Sequence, residues 1–264
     1  MISFVGAGPG AADLITLRGR DRLLMADIVV WASSLVPEAL LDHARPEAVI
    51  HDSAAMTLED VLRTYATAPR ARIVRLHSGD PAIYGAIQEQ IDWCIANERA
   101  FEIVPGVSAF AAAAAAIRRE LTIPGVAQSV VLGRLGGRTS ASMRPSESIA
   151  RLASTGSTLA VFLSGARPVE LQRELLAPGS GYTPDTPAVI VVRASWPDER
   201  VVRTTVGRLA DDLRSTGART TVLVLVGDAV GLEPATRRSH LYSPRFAHLF
   251  RRRSRVGSTA GRSR

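Results

Sequence analysis

The sequence predicts an α/β fold of two domains, each with a mostly parallel or mixed sheet. Two observations carry this expectation. Short β-branched runs alternate with helical segments along the whole chain, the pattern of a sheet covered by helices. Glycine-bearing turns also follow three strands of the first half, where open α/β sheets place their ligands.

In the first half the strands are read at Ile2 to Val5, Ile28 to Trp31, Ile73 to Leu76 and Phe101 to Val104. Between them, Thr16 to Ala26 and Ala82 to Ala96 place leucines and isoleucines at helical spacing, which predicts two core-facing helices. Ala111 to Ala116 is a strong helix former, and its small side chains allow a neighbouring element to come close. After Leu121-Thr122-Ile123-Pro124-Gly125 come strands at Val130 to Leu132, Leu159 to Leu163, Ala188 to Val192 and Thr221 to Val226. Two domains, residues 1–118 and 122–244, are the simplest account.

Composition narrows the function. The chain has a net charge of +7, but seven arginines and no acid follow position 244, so the excess belongs to the tail 245–264. Such a like-charge block is expected to be solvated and disordered rather than a specific nucleic-acid site. Cys94 is the only cysteine, and histidines 43, 51, 77, 240 and 248 are scattered, so no metal site is expected. No apolar run reaches the roughly 18 residues of a membrane span, and the apolar start is cut short by Gly6 and Gly8, which makes the cytoplasm the default location. There is no lysine, which excludes a lysine base and leaves arginine as the fixed cation for an acidic substrate.

Three motifs carry chemistry. Val5-Gly6-Ala7-Gly8-Pro9-Gly10 permits close backbone approach to a ligand, yet Pro9 removes an amide that a phosphate cradle would use and the last glycine of the dinucleotide fingerprint is missing. His77-Ser78-Gly79-Asp80-Pro81 puts Pro81 at a helix's first position with Asp80 as its cap, or as a carboxylate holding an amine or a ribose hydroxyl. In Pro105-Gly106-Val107-Ser108-Ala109, Ser108 caps the alanine helix or bonds a ligand edge. Asp80 and His77 are the candidate catalytic groups. Arg75, Arg118 and Arg119 are candidate docks for substrate carboxylates, and Tyr84 and Phe110 for ring contacts.

In this order the three motifs resemble the tetrapyrrole methylase family from residue 1 to about residue 245. Within it, Trp31-Ala32-Ser33-Ser34-Leu35-Val36, Leu76 to Pro81, Glu120 to Val126, Ala194-Ser195-Trp196-Pro197-Asp198-Glu199 and Ser239-His240-Leu241-Tyr242-Ser243 resemble the precorrin-4 C-11 methyltransferases of cobalamin synthesis. The resemblance implies S-adenosylmethionine folded between the domains, a tetrapyrrole trough in the first domain and a homodimer. It implies cofactor contacts at Pro9, Ser78, Gly79, Asp80, Ile83, Tyr84, Ser108 and Ala109, then Leu163, Ser164 and Ala194, and the turn Gly227-Asp228-Ala229. For the substrate it implies Gly8, Gly10, Ser33, Ser34, Arg134 and Arg138.

Two departures stand out. Uroporphyrinogen methyltransferases carry an acid after the second strand where this chain has Ala32, which favours a later methylation. The segment Arg134 to Thr139 resembles the family's Arg-x-x-Gly-Arg-Thr but continues with Ser140 in place of proline. Methylation of another ring carbon or of a cobalt-precorrin stays open on the sequence. So, more distantly, do a flavin or nicotinamide oxidoreductase and a non-catalytic cofactor-binding protein.

Overall fold

The structure, a computed structural model, describes residues 1–136 and 143–232 and, beyond them, residues 239, 243, 246, 247 and 249. Arg138, His240, His248 and most of the basic tail therefore lie outside the described residues.

The first sheet contains β1 (Ile2–Gly6), β2 (Ile28–Trp31), β3 (Val49–Asp52), β4 (Ile73–His77) and β5 (Phe101–Val104) in the order β3-β2-β4-β1-β5. All four pairings are parallel. Except for the edge strand β3, each strand alternates between two cores, as a pleat of period two requires. Val5, Val29 and Leu76 pack on one face with Leu23 of α1 (Leu17–Leu24). Phe4, Val30 and Ile73 pack on the other with Tyr65 of α2 (Leu58–Thr67) and Ile91 of α3 (Gln88–Ala96). The helix starts are chemically marked. Thr16 accepts from the Gly19 amide at 3.1 Å, and Thr57 with Asp60 forms a reciprocal capping box.

The second sheet contains β6 (Val130–Arg134), β7 (Thr158–Phe162), β8 (Pro187–Val192), β9 (Arg200–Thr205) and β10 (Val222–Val226) in the order β6-β7-β10-β8-β9. Only β6 and β7 are parallel; β10 runs against both β7 and β8, and β9 against β8. The sheet is mixed. One face is covered by α5 (Ile149–Ala153), α6 (Pro168–Leu175) and α7 (Leu209–Ser215), through Ile149, Leu171, Leu175, Leu209 and Leu213. The other face is covered by α4 (Ala109–Ile117), which follows β5 of the first sheet. Ala112, Ala113 and Ile117 of α4 pack on Ala160, Val189, Val191, Leu223 and Leu225. The small side chains of α4 thus bring one domain's helix close against the other domain's sheet, so α4 couples the two.

Three expectations are corrected. The helix expected over Ala82 to Ala96 begins only at Gln88, because Tyr84 and Ala86 have left-handed backbone at φ 57° and 50°. Asp80 therefore caps a turn and Pro81 does not open a helix. Ser108 occupies the cap position of α4, but its side chain makes no capping bond.

Candidate functional site

The carboxyl ends of β1, β4 and β5 meet backbone to backbone. A Cβ at Gly6 would fall 2.4 Å from the Gly106 Cα, and one at Gly106 would fall 2.2 Å from the Gly79 carbonyl oxygen, so this junction admits no side chain. Two hydrogen bonds between Gly8 and Gly79, of 2.7 and 3.3 Å, tie the first loop to the second. Asp80 ties the second to the third: its Oδ1 accepts from the Ala82 amide at 2.7 Å and its Oδ2 from the Gly106 amide at 2.9 Å. The three motifs separated in sequence form one rigid floor.

Above that floor lies a cavity of about 300 Å³ between the domains. From the first domain it is lined by Pro9, Leu35, Ser78, Gly79, Asp80, Ile83, Tyr84, Ser108 and Ala109. From the second it is lined by Phe162, Leu163, Gly165, Val191, Ala194 and the run Arg219 to Leu223. Tyr84 and Phe162 meet across the gap with ring centroids 5.1 Å apart. The size is at the small end of ligand pockets, and the walls are mainly apolar, as such sites usually are.

Backbone strain concentrates here. Eight non-glycine residues among those described have left-handed backbone, and five of them surround the cavity. Tyr84, Leu163 and Thr221 line it at φ 57°, 54° and 53°, while Arg193 and Ser195, at 51° and 65°, flank the lining residue Ala194. Each such conformation costs about 1 to 3 kcal/mol and persists where the surroundings over-determine it, typically at ligand sites.

A clasp closes the cleft on one side. The Trp196 indole N–H donates to the Pro9 carbonyl at 2.9 Å, and the Ala11 amide donates to the Ser195 hydroxyl at 3.0 Å. Arg193 stacks on the Trp196 ring at 3.8 Å, and the Ser195 amide donates to Glu199 at 2.6 Å. Gly10 leaves room for the indole: a Cβ there would fall 2.2 Å from Trp196 Cδ1. Gly10 thus faces the Trp196 indole and Gly8 pairs with Gly79, and neither lines the cavity.

Ten of the expected cofactor contacts from the two domains line this cavity together: Pro9, Ser78, Gly79, Asp80, Ile83, Tyr84, Ser108, Ala109, Leu163 and Ala194. Ser164, next to the lining residue Leu163, is fully buried, and its hydroxyl has no hydrogen-bond partner among the described residues. The turn Gly227-Asp228-Ala229 is a correction. Because β10 is antiparallel to β7, its start at Val222 faces the cavity and its end points away, leaving Gly227 packed against Ser157 and Thr158. Arg219, Thr220, Thr221, Val222 and Leu223 take that wall instead, because strand direction is not encoded in an apolar run.

The other candidates divide. Ser33 and Ser34 are exposed beside the lining residue Leu35, and the Ser33 amide donates to Asp52 Oδ1 at 3.1 Å. Arg134 ends β6, and its charge works against the burial that pushes up the Tyr84 phenol. Phe110 packs with the α4 core. His77 does not line the cavity; it lies against Phe4, and burial followed by the Arg75 charge lowers its pKa to about 3, leaving the imidazole neutral near pH 7. Arg75 is committed internally to the Val30 and Leu76 carbonyls and the Ser53 hydroxyl. Arg119 donates to the Ala229 carbonyl, and Arg118 ends α4 with left-handed backbone. None of these three lines the cavity.

Comparison with known proteins places the chain among relatives of one kind. The family model for tetrapyrrole (corrin/porphyrin) methylases matches residues 1–210. The precorrin-4 C(11)-methyltransferase of Sinorhizobium sp is 44% identical over 255 residues, covering 96% of this chain and 98% of that protein. Among solved structures, a cobalt precorrin-4 methyltransferase described as a cobalamin biosynthetic enzyme superposes with a TM-score of 0.83 at 41% identity, covering 87% of this chain and 95% of that one. A uroporphyrin-III C-methyl transferase from Thermus thermophilus, complexed with S-adenyl homocysteine, superposes with a TM-score of 0.68 at 28% identity, covering 87% and 92%.

Proposed function

Since the chain belongs to the tetrapyrrole methylase family, we propose that it methylates precorrin-4 at C-11, with S-adenosylmethionine as methyl donor, to give precorrin-5 in cobalamin biosynthesis. The observation that carries this reading is the near full-length similarity to a precorrin-4 C(11)-methyltransferase. The cavity supports it.

The donor supplies, when bound, a methyl group on a positively charged sulfur, open to attack by an electron-rich ring carbon. The residues present fit such a molecule. Ile83, Val191 and Leu223 offer apolar walls for a flat heterocycle, and the turns at Gly79, Leu163 and Thr221 bring backbone polar atoms to the same space. The chain's task is then positioning. Holding two reactants in line can supply roughly 7 to 11 kcal/mol in favourable cases, and a floor fixed by Asp80 and three abutting glycines suits that demand. Asp80 acts in this reading by fixing the loops rather than by taking a proton. His77, buried and neutral, does not line the cavity. Arg134, whose charge acts on the lining residue Tyr84, is the arginine of this reading that docks a substrate carboxylate.

The test is turnover with methyl-labelled S-adenosylmethionine, supplied separately with precorrin-4 and with its cobalt complex. The expected product is precorrin-4 heavier by one methylene unit, with the label at C-11 in its carbon NMR spectrum. Label at another carbon, turnover of the cobalt complex alone, or none with either substrate would contradict the reading.

A further inference from the structure

Among the described residues, two charged ones line the cavity, Asp80 and Arg219. They differ in how far they are already used. Each Asp80 oxygen accepts a backbone amide. Arg219 is exposed, and its guanidinium makes no hydrogen bond or ion pair with any described residue. Several other arginines of the same domain are engaged, among them Arg193 with Asp198, Arg203 with the Ile117 and Val230 carbonyls, Arg208 with Asp212 and Arg214 with Asp211.

The Arg219 backbone is also held in place. A Cβ at Gly165, itself a lining residue, would fall 2.8 Å from the Arg219 carbonyl oxygen, so the two loops touch through their main chains. Two residues on, the Thr221 carbonyl accepts from the Arg193 amide at 2.8 Å. A cation on an anchored loop, at the edge of a mainly apolar cavity, is suited to an anion that arrives with the ligand. A planar guanidinium binds a carboxylate through two parallel N–H bonds.

We propose that Arg219 is the carboxylate anchor of this cavity. The inference rests on the methyl-transfer reading above, under which two carboxylates could reach it: that of the donor's amino-acid end, or an acetate or propionate arm of the macrocycle. The chemistry is the same, and the experiment tells them apart.

Calorimetry would compare wild type with Arg219→Gln, using S-adenosylhomocysteine and 5′-methylthioadenosine, which lacks the amino-acid end. Arg214→Gln removes the same charge from α7 and serves as the control. If Arg219 holds the donor's carboxylate, Arg219→Gln weakens S-adenosylhomocysteine binding by about 10-fold, the usual scale for a charged hydrogen bond, and leaves methylthioadenosine unchanged. If it holds a macrocycle arm, both affinities stay and KM for precorrin-4 rises by a similar factor with little change in kcat. Unchanged affinities together with unchanged KM overturn the proposal. So does an equal loss for both nucleosides, or an equal effect of Arg214→Gln. Wild-type protein that binds neither nucleoside while its thermal melt shows it folded would overturn the donor reading, and the anchor with it.

Discussion

In the first domain all strand pairings are parallel, so β1, β4 and β5 bring three carboxyl ends, each carrying a glycine turn, to the same edge. In the second domain β10 opposes both neighbours, and the cavity is lined by the end of β7, the end of β8 and the beginning of β10. A parallel sheet makes strand end and ligand edge the same thing, so a motif after a strand can be read as a site. A mixed sheet breaks that equivalence. Gly227-Asp228-Ala229 looks like a ligand turn by the first rule and lies at the wrong end by the second.

The largest expected effect separates the two walls directly. Asp80→Ala removes the acceptor of the Ala82 and Gly106 amides and unties two loops of the parallel wall. Leaving such donors unpaired costs about 1 to 3 kcal/mol each, so S-adenosylhomocysteine affinity is expected to fall at least about 10-fold, together with the melting temperature. Asp228→Ala, at an exposed position beyond the end of β10, is expected to change affinity by less than about 2-fold on the same scale. Equal losses in calorimetry would remove the distinction.

A smaller effect tests how the walls are joined. Gly10→Ala drives a methyl group into the Trp196 indole, an overpacking of about 1 to 3 kcal/mol that should displace the indole from the Pro9 carbonyl and weaken ligand binding. Trp196→Ala should weaken binding as well. In the Trp196→Ala background, adding Gly10→Ala should do nothing more, because the atom it strikes is gone. A double-mutant cycle in which Gly10→Ala has the same effect in both backgrounds would show that the clasp does not act through that contact.

Much of this molecule was legible before any coordinates. Eight strands follow from β-branched runs, and the glycine turns after the first-half strands point to a shared cleft, whereas the individual cavity residues came from the resemblance to the family. The strands that escaped are the edges. Val49–Asp52 and Arg200–Thr205 carry His, Asp, Arg and Thr because one side faces solvent, so neither reads as an apolar run. The start of α3 was misplaced because the left-handed backbone at Tyr84 and Ala86 comes from packing around the cavity, which side-chain periodicity does not encode. Arg75 and His77 sit beside a motif in sequence but turn to the interior, since alternate residues of β4 face opposite sides. The clasp of Trp196 on Pro9 spans 187 positions of sequence and leaves only a glycine at position 10 as its trace.

The central claim, that both domains share one donor site in the cavity between them, is tested most directly by hydrogen exchange with and without S-adenosylhomocysteine. The account predicts protection in peptides covering residues 78–84, 106–109, 163–165 and 219–223, with no change at 227–229. Protection confined to the first domain, or found at 227–229 but not at 219–223, would contradict it.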